Sequence, residues 1–410
     1  MKIQNVRALE ILDSRGNPTV QAEIRLDSGI SAFAQVPSGA STGRHEAREL
    51  RDGDPNRFGG KGVLQAVRNV EEVLGPAVYT VDPADQQSVD QRMIEADATP
   101  DKSRLGANAI LAVSCAAARA AALSRGIPLW KHLSGMSRKP SPCMPLPMIN
   151  IISGGLHAGR NLEFQDFLVI PRSYPELTAA LEATVRVHRE TGKLLAQRGY
   201  LLTGVADEGG WGPHLASNEQ AVAILREAID IANANMDIAL DVASSHFFSE
   251  GTYAMENRRL SAAEHADMLQ NWIGRYGVVS IEDPCAEDDW EGWKAITSRL
   301  GSSVRLVGDD LFVTNPARLE HGIREGAANS VLVKMNQIGT LTETFTVIDL
   351  AREAGFGAVI SARSGETEDS FLADLAVASG AGQIKVGSVT RSERLAKYNR
   401  LLQIERWELS

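Results

Sequence analysis

From about residue 147 onward the chain alternates between short apolar runs and helical stretches, and this rhythm constrains the fold more than any other feature. Two runs come in succession, 147–152 and 164–170, followed by two long helical stretches near 174–198 and 216–234. Six strand cores then recur, at 238–242, 278–281, 304–307, 331–333, 358–360 and 384–386, with helical stretches between them. Short β-branched runs separated by helical periodicity predict βα units, and a series of them predicts a parallel α/β barrel or an open parallel sheet. The strand-strand-helix-helix opening departs from a regular barrel.

The first third reads as α+β. Strands are expected at 2–12, 18–26 and 30–36, with the turn Ser-Arg-Gly-Asn-Pro at 14–18 between the first two. Helical patterns follow near 60–74, 85–96, 105–125 and 128–134. A run rich in turn formers at 134–142 marks a boundary between an N-terminal α+β domain over 1–135 and a second, α/β domain over 140–410.

Lys and Arg total 42 against 52 Asp and Glu, a formal net charge of -10, so partners with extended negative charge, nucleic acid or an anionic membrane, are not expected. A small anionic substrate remains compatible, because a few local cations reverse the field inside a cleft. Cys115, Cys143 and Cys285 form no CxxC pair, and their odd number argues against a disulfide framework. A reducing cytoplasm fits. Residues 1–12 carry charges and no apolar run, so no signal peptide is expected. The apolar stretch 107–123 is interrupted by Asn108, Ser114 and Arg119 and reads as a packed helix.

Each of the six late strands delivers a charge at its C-terminal end: Asp241, Glu282, Asp309, Lys334, Arg363 and Lys385. Strand C-termini of a βα barrel converge on one face, where active sites are built. Three bare carboxylates there repel one another, and a hard divalent cation resolves the conflict. All-oxygen ligation favours Mg²⁺ over zinc. Buried ion pairs or loop caps are the structural alternative. Lys334 follows the buried run Val-Leu-Val, and desolvation with neighbouring cations is expected to depress its pKa, fitting it to act as a base. Simple pairing with Asp309 is the competing reading.

Three loops add candidates. Glu208, in the Gly-rich segment 205–211, is placed to act as a general acid across the mouth from Lys334. The segment 37–43, Pro-Ser-Gly-Ala-Ser-Thr-Gly, has the composition of a phosphate-cradling or lid loop, and equally of a surface loop. The segment 153–159 carries His157 just after the first barrel strand.

Together these segments resemble the enolase family along nearly the whole chain. The resemblance rests on Ile-Leu-Asp-Ser-Arg-Gly-Asn-Pro from Ile11, Val-Pro-Ser-Gly-Ala-Ser-Thr-Gly from Val36, Leu-Gly-Ala-Asn-Ala-Ile-Leu from Leu105 and Ser-Ile-Glu-Asp-Pro from Ser280. It continues in Gly-Asp-Asp-Leu-Phe from Gly308, Lys-Met-Asn-Gln-Ile-Gly-Thr from Lys334, Arg-Ser-Gly-Glu-Thr-Glu-Asp from Arg363 and Arg-Ser-Glu-Arg-Leu-Ala-Lys-Tyr-Asn from Arg391. It implies an α/β fold: an N-terminal α+β capping domain, then a modified ββαα(βα)6-type TIM barrel. It implies two Mg²⁺ per active site, the first on Asp241, Glu282 and Asp309, the second on Ser41 with the substrate phosphate. Lys334 would remove the C2 proton of 2-phosphoglycerate, and Glu208 would protonate the leaving hydroxyl. Arg363, Ser364 and His157 would hold the phosphate, Lys385 would serve the carboxylate side, and Asp166 would face the reaction centre. A homodimer or larger assembly is also implied.

Several positions depart from the family pattern. Ala362 stands where the family carries a histidine, Ser153 where it carries asparagine, Asp166 where it carries glutamate, Ala206 where it carries glycine and His246 where it carries glutamate. These changes surround the substrate while the metal and base set is intact. They leave three readings open: a hydro-lyase interconverting 2-phosphoglycerate and phosphoenolpyruvate, a transferase of phosphonate biosynthesis resembling carboxyphosphonoenolpyruvate synthases, or a non-catalytic binding protein.

Overall fold

The structure is a computed structural model and describes residues 1–39 and 43–409. Strands β1 (Ile3–Leu12), β2 (Pro18–Leu26) and β3 (Ser31–Gln35) form an antiparallel meander. Its first turn is built by Asp13, whose Oδ1 accepts hydrogen bonds from the backbone of Arg15 and Asn17 at 2.8 and 2.9 Å. Gly16 supplies the positive φ of 73° that the turn requires.

Helix Ala107–Arg125 packs across β2 and β3. Its alanines let helix and sheet backbones approach closely. The helix has the length and hydropathy of a membrane span, yet its apolar window is 83% buried inside the protein. The helical stretch expected near 60–74 is not one α-helix. It runs as Leu64–Asn69, a wider π-type turn at Val70–Leu74, and Gly75–Val78. Pro76, at the start of the last piece, lacks the N–H that a continuous ladder needs.

Beyond residue 145 eight strands close into a barrel: β4 (Leu146–Ser153), β5 (Asp166–Ile170), β6 (Asp237–Asp241), β10 (Val278–Glu282), β11 (Arg305–Gly308), β12 (Ser330–Val333), β13 (Gly357–Ser361) and β14 (Gly382–Gly387). A three-stranded meander, β7 (Phe248–Ser249), β8 (Thr252–Met255) and β9 (Arg258–Leu260), intervenes after β6. The fold is α/β, a small N-terminal α+β region followed by a TIM barrel. The open-sheet alternative is excluded by closure of β14 onto β4. Strand β5 runs antiparallel to both β4 and β6, while the other barrel pairs are parallel. Two long helices, Leu177–Gln197 and Asn218–Ile231, follow β5 in place of the usual alternation.

Helix starts in the barrel carry their own signals. Ser261 and Glu264 form a reciprocal capping box, and Asn315 caps a helix whose first residue is Pro316. Inside the barrel Met148, Leu168, Ala239, Val307, Leu332 and Val359 form an apolar plug distinct from the core between barrel and helices. The two parts of the chain are tied by buried ion pairs, among them Arg119 to Asp369 at 2.6 Å.

Candidate active site at the barrel rim

All six predicted charges arrive at the C-terminal end of the strands. Asp241 and Glu282 close β6 and β10, Asp309 and Lys334 follow β11 and β12 directly, Arg363 lies two residues past β13, and Lys385 sits in β14. All six are buried. Acids and cations face each other across the rim. Lys385 Nζ donates to Asp241 Oδ2 and Glu282 Oε2, both at 2.7 Å. Lys334 Nζ donates to Asp309 Oδ2. The Arg363 guanidinium donates to the two Glu46 carboxylate oxygens at 3.0 and 3.2 Å. Gln165 and Gln337 complete the set, donating to Asp241 at 3.1 Å and Asp309 at 2.9 Å.

These pairings fix the charges. For Asp241 and Asp309 burial acts to raise the pKa, but the facing lysines overcome it and hold both below the ordinary carboxylate value. Glu282 is held well above it, by burial first and by Asp241 second. The expectation of a depressed Lys334 pKa is corrected in this arrangement. Burial and Arg363 act to lower it, but the directly bonded Asp309 prevails and the ammonium is favoured.

A second cluster forms on the β4–β5 hairpin loop. His157 Nδ1 lies 2.9 Å from Asp166 Oδ2, and its Nε2 lies 3.8 Å from Glu208 Oε1. Burial acts to lower the His157 pKa, yet Asp166 and Glu208 carry it to about 9, so the imidazole is charged at neutral pH. Asp166 is raised to about 6, chiefly by burial. Its other oxygen accepts from Asn150, which also donates to Ser153 Oγ at 2.8 Å.

Glu208 is presented by a tight loop. Ser388 N–H donates to the Glu208 carbonyl, and Thr390 Oγ1 to the Gly209 carbonyl, each at 2.8 Å. Gly209 has φ of 89°, and a Cβ there would stand 2.5 Å from Thr390 Oγ1, so the position demands glycine. His157, Glu208, Asp241, Lys334, Ala362, Arg363, Ser364 and Lys385 line one small cavity. Asp166 sits behind it through His157. Ser41 lies outside the described residues. His246 faces a neighbouring cavity beside Gly155 and Arg160 and does not line this one.

Sequence reasoning missed Glu46, Gln165, Gln337 and the support behind the rim. Buried Arg394, on helix Ser392–Trp407, donates to the carbonyls of Arg363, Ser364 and Val386. Lys397 donates to Glu366 Oε2 at 2.8 Å and the Thr367 carbonyl at 2.6 Å. The charged motif from Arg391 carried that signal, since lysine and arginine on a packed helix need buried acceptors.

Opposed acids and bases are gathered at the C-terminal rim of a closed α/β barrel, the face on which enzymes of this architecture build their active sites. Residues 141–409 match the family model described as the C-terminal TIM barrel domain of enolase, and residues 3–133 match the N-terminal domain of enolase. The chain belongs to the enolase family, and so to the lyase-type enzymes of the enolase superfamily.

The residues present fit the Mg²⁺ that such enzymes typically use. The donors are carboxylates, and buried Glu282 Oε1 meets no hydrogen-bond donor among the described residues. Asp283, Asp309 and Asp310 bring one oxygen each within 4.8 Å of one another, whereas among the described residues Asp241, Glu282 and Asp309 do not, with Lys385 seated between the first two.

Proposed function

We propose that this chain removes the proton beside the carboxylate of 2-phosphoglycerate and expels the C3 hydroxyl, giving phosphoenolpyruvate. The observation that supports this most is the shared cavity, which Lys334, Glu208, Arg363 and Ser364 line together. Lys334, held as the ammonium by Asp309 in this arrangement, takes the C2 proton once Asp309 turns to Mg²⁺; Arg363 and Lys385 then oppose its charge. Burial acts to raise the Glu208 pKa, but His157 holds it below the ordinary carboxylate value, so the proton that Glu208 passes to the departing hydroxyl is drawn from His157. His157, charged up to about pH 9 and 3.8 Å from Glu208, can resupply it. Arg363, Ser364 and, from the lid segment, Ser41 hold the phosphate. Mg²⁺ held by Asp241, Glu282 and Asp309, with a second ion at Ser41, would offset the negative charge that develops on the substrate carboxylate. Lys385 bonds to both Asp241 and Glu282, holding them adjacent for that role and keeping Asp241 ionised. We further propose a cytoplasmic enzyme acting as a homodimer or larger assembly.

One observation favours a second reading. Ala362 lines the cavity with a methyl group, and Asp166 is engaged by His157 and Asn150 instead of facing the substrate directly. Alanine there takes less room than a larger polar side chain would, which favours a bulkier second substrate, as in a transferase that joins a phosphonate-bearing group to the three-carbon enol.

The deciding experiment combines the purified chain with Mg²⁺ and 2-phosphoglycerate and follows phosphoenolpyruvate by absorbance. Rapid turnover supports the hydro-lyase. Slow turnover that rises about 10²-fold or more in Ala362→His supports the transferase, since a missing proton-transfer partner costs that much. Absence of both turnover and exchange of the C2 proton in D₂O refutes proton abstraction.

A further inference from the structure

The barrel has a second mouth. At the N-terminal ends of its strands, beneath the apolar plug and away from the catalytic rim, lies a cavity of about 360 Å³. Leu146, Ile170 and Val279 give it apolar walls, and Arg172, Arg305 and Ser280 give it polar ones.

Arg305 opens β11 and is half-buried. Its guanidinium donates to Gln383 Oε1, a neutral acceptor, and among the described residues no carboxylate stands within ion-pair distance of it. It has room because position 357 is glycine, where a Cβ would stand 3.2 Å from the Arg305 Cζ. Arg172 adds a second positive charge at the same mouth, its own charge shared with Asp237 at 3.4 Å. Burial and Arg172 both push the Arg305 pKa down, so its surroundings oppose the charge it carries. Ser280 Oγ is buried there and has no hydrogen-bond partner among the described residues. A half-buried cation without a counter-charge loses hydration without recovering it, and an anion restores the balance.

We infer that this cavity binds a small oxyanion between Arg305 and Arg172: phosphate, as the free ion or as the phosphoryl group of a small metabolite. The guanidinium fork matches two oxygens of a tetrahedral anion, and the Ser280 hydroxyl can donate to a third. The apolar walls accommodate a short carbon skeleton. The apolar plug separates this site from the rim, so its occupant is not the substrate of the rim chemistry.

The test titrates inorganic phosphate, and separately glycerol 3-phosphate, into the full chain in EDTA by calorimetry. Wild type is compared with Arg305→Gln, Arg172→Gln and Arg363→Gln. Binding should weaken roughly tenfold to a hundredfold in Arg305→Gln, the cost of a charge-assisted hydrogen bond. It should weaken less in Arg172→Gln, whose partly exposed position keeps the fold safe, and survive in Arg363→Gln. Tighter binding of glycerol 3-phosphate identifies a metabolite as the source, and equal or weaker binding identifies the free ion; both support the site. Loss in Arg363→Gln with retention in Arg305→Gln puts the phosphate on the catalytic rim and overturns the inference, as does no binding at high millimolar concentration. Melting curves give an independent reading. Arg305→Met should melt higher than wild type in phosphate-free buffer and gain nothing from phosphate. A lower melting point there marks the guanidinium as purely structural and overturns the inference.

Discussion

Replacing Lys385 with methionine keeps most of the side-chain volume but removes the ammonium 2.7 Å from both Asp241 and Glu282. The two carboxylates are then buried side by side without a cation. Breaking a buried pair by deleting one partner costs about 3–5 kcal/mol. The entropy of unfolding is about 2.1 cal/mol/K per residue, or about 0.9 kcal/mol/K for this chain of 410 residues. The loss therefore corresponds to a fall of about 5 °C in melting temperature in EDTA. If the same carboxylates form a Mg²⁺ site, the ion takes over the missing positive charge. At a hundred times its dissociation constant it returns about 2.7 kcal/mol, or about 3 °C. Calorimetric melts of wild type and Lys385→Met, each in EDTA and in Mg²⁺, read both quantities. The variant should gain more from Mg²⁺ than wild type does, because no ammonium competes for the oxygens. A variant that melts with wild type in EDTA, or that Mg²⁺ fails to restore, refutes the reasoning.

Lys334→Ala should slow exchange of the C2 proton of 2-phosphoglycerate with D₂O by about 10²–10⁴-fold, read by NMR, and an unchanged rate removes Lys334 from the role of base. His265 is buried among Phe164, Phe247 and Tyr253, and burial lowers its pKa from 6.5 to about 4. The unfolded chain therefore takes up this proton first, so stability is lost as pH falls from about 6.5 towards 4, by about 2 kcal/mol at pH 5. In His265→Phe the drop in melting temperature between pH 7 and pH 5 should shrink by about 2 °C, and an identical drop in both proteins refutes the assignment. Gly192 faces the Trp211 ring, and a Cβ there would lie 2.7 Å from Cζ2. Gly192→Ala should cost about 1–3 kcal/mol and lower kcat through the Glu208 loop that Trp211 closes; unchanged kinetics and melting contradict this.

The strand cores and their charged ends were legible because each signal is local: an apolar run of a few residues and the polar residue that stops it. The meander at β7–β9 was not, since its strands are shorter than any periodicity window. Its turns rest on Gly251, Glu256 and Asn257 at positive φ, a conformation that glutamate does not advertise. Distance along the chain hid the rest. Pairing of Lys334 with Asp309 is one of two possibilities open in the sequence, and only the fold decides for it. The pairing of Arg363 with Glu46 joins residues 317 positions apart. Likewise nothing in the sequence shows that Lys385, while lining the cavity, also bonds to Asp241 and Glu282, more than a hundred positions away. His246 follows Asp241 closely in sequence, but the left-handed turn at Ala243, with φ of 48°, leads the chain away from the cavity.

The reversed direction of β5 has a consequence for how this protein can change. Because β4 and β5 form an up-down pair, the segment joining them begins and ends at the same end of the barrel. It needs no return path along the outside and no helix to carry it there. The roof that bears His157 is thus a local panel: its exposed stretch at Gly159 and Arg160 can be lengthened while Leu162 and Phe164 stay anchored in the core and the strand ladders beneath stay as they are. Reshaping what the pocket admits is a local edit, independent of how the barrel closes.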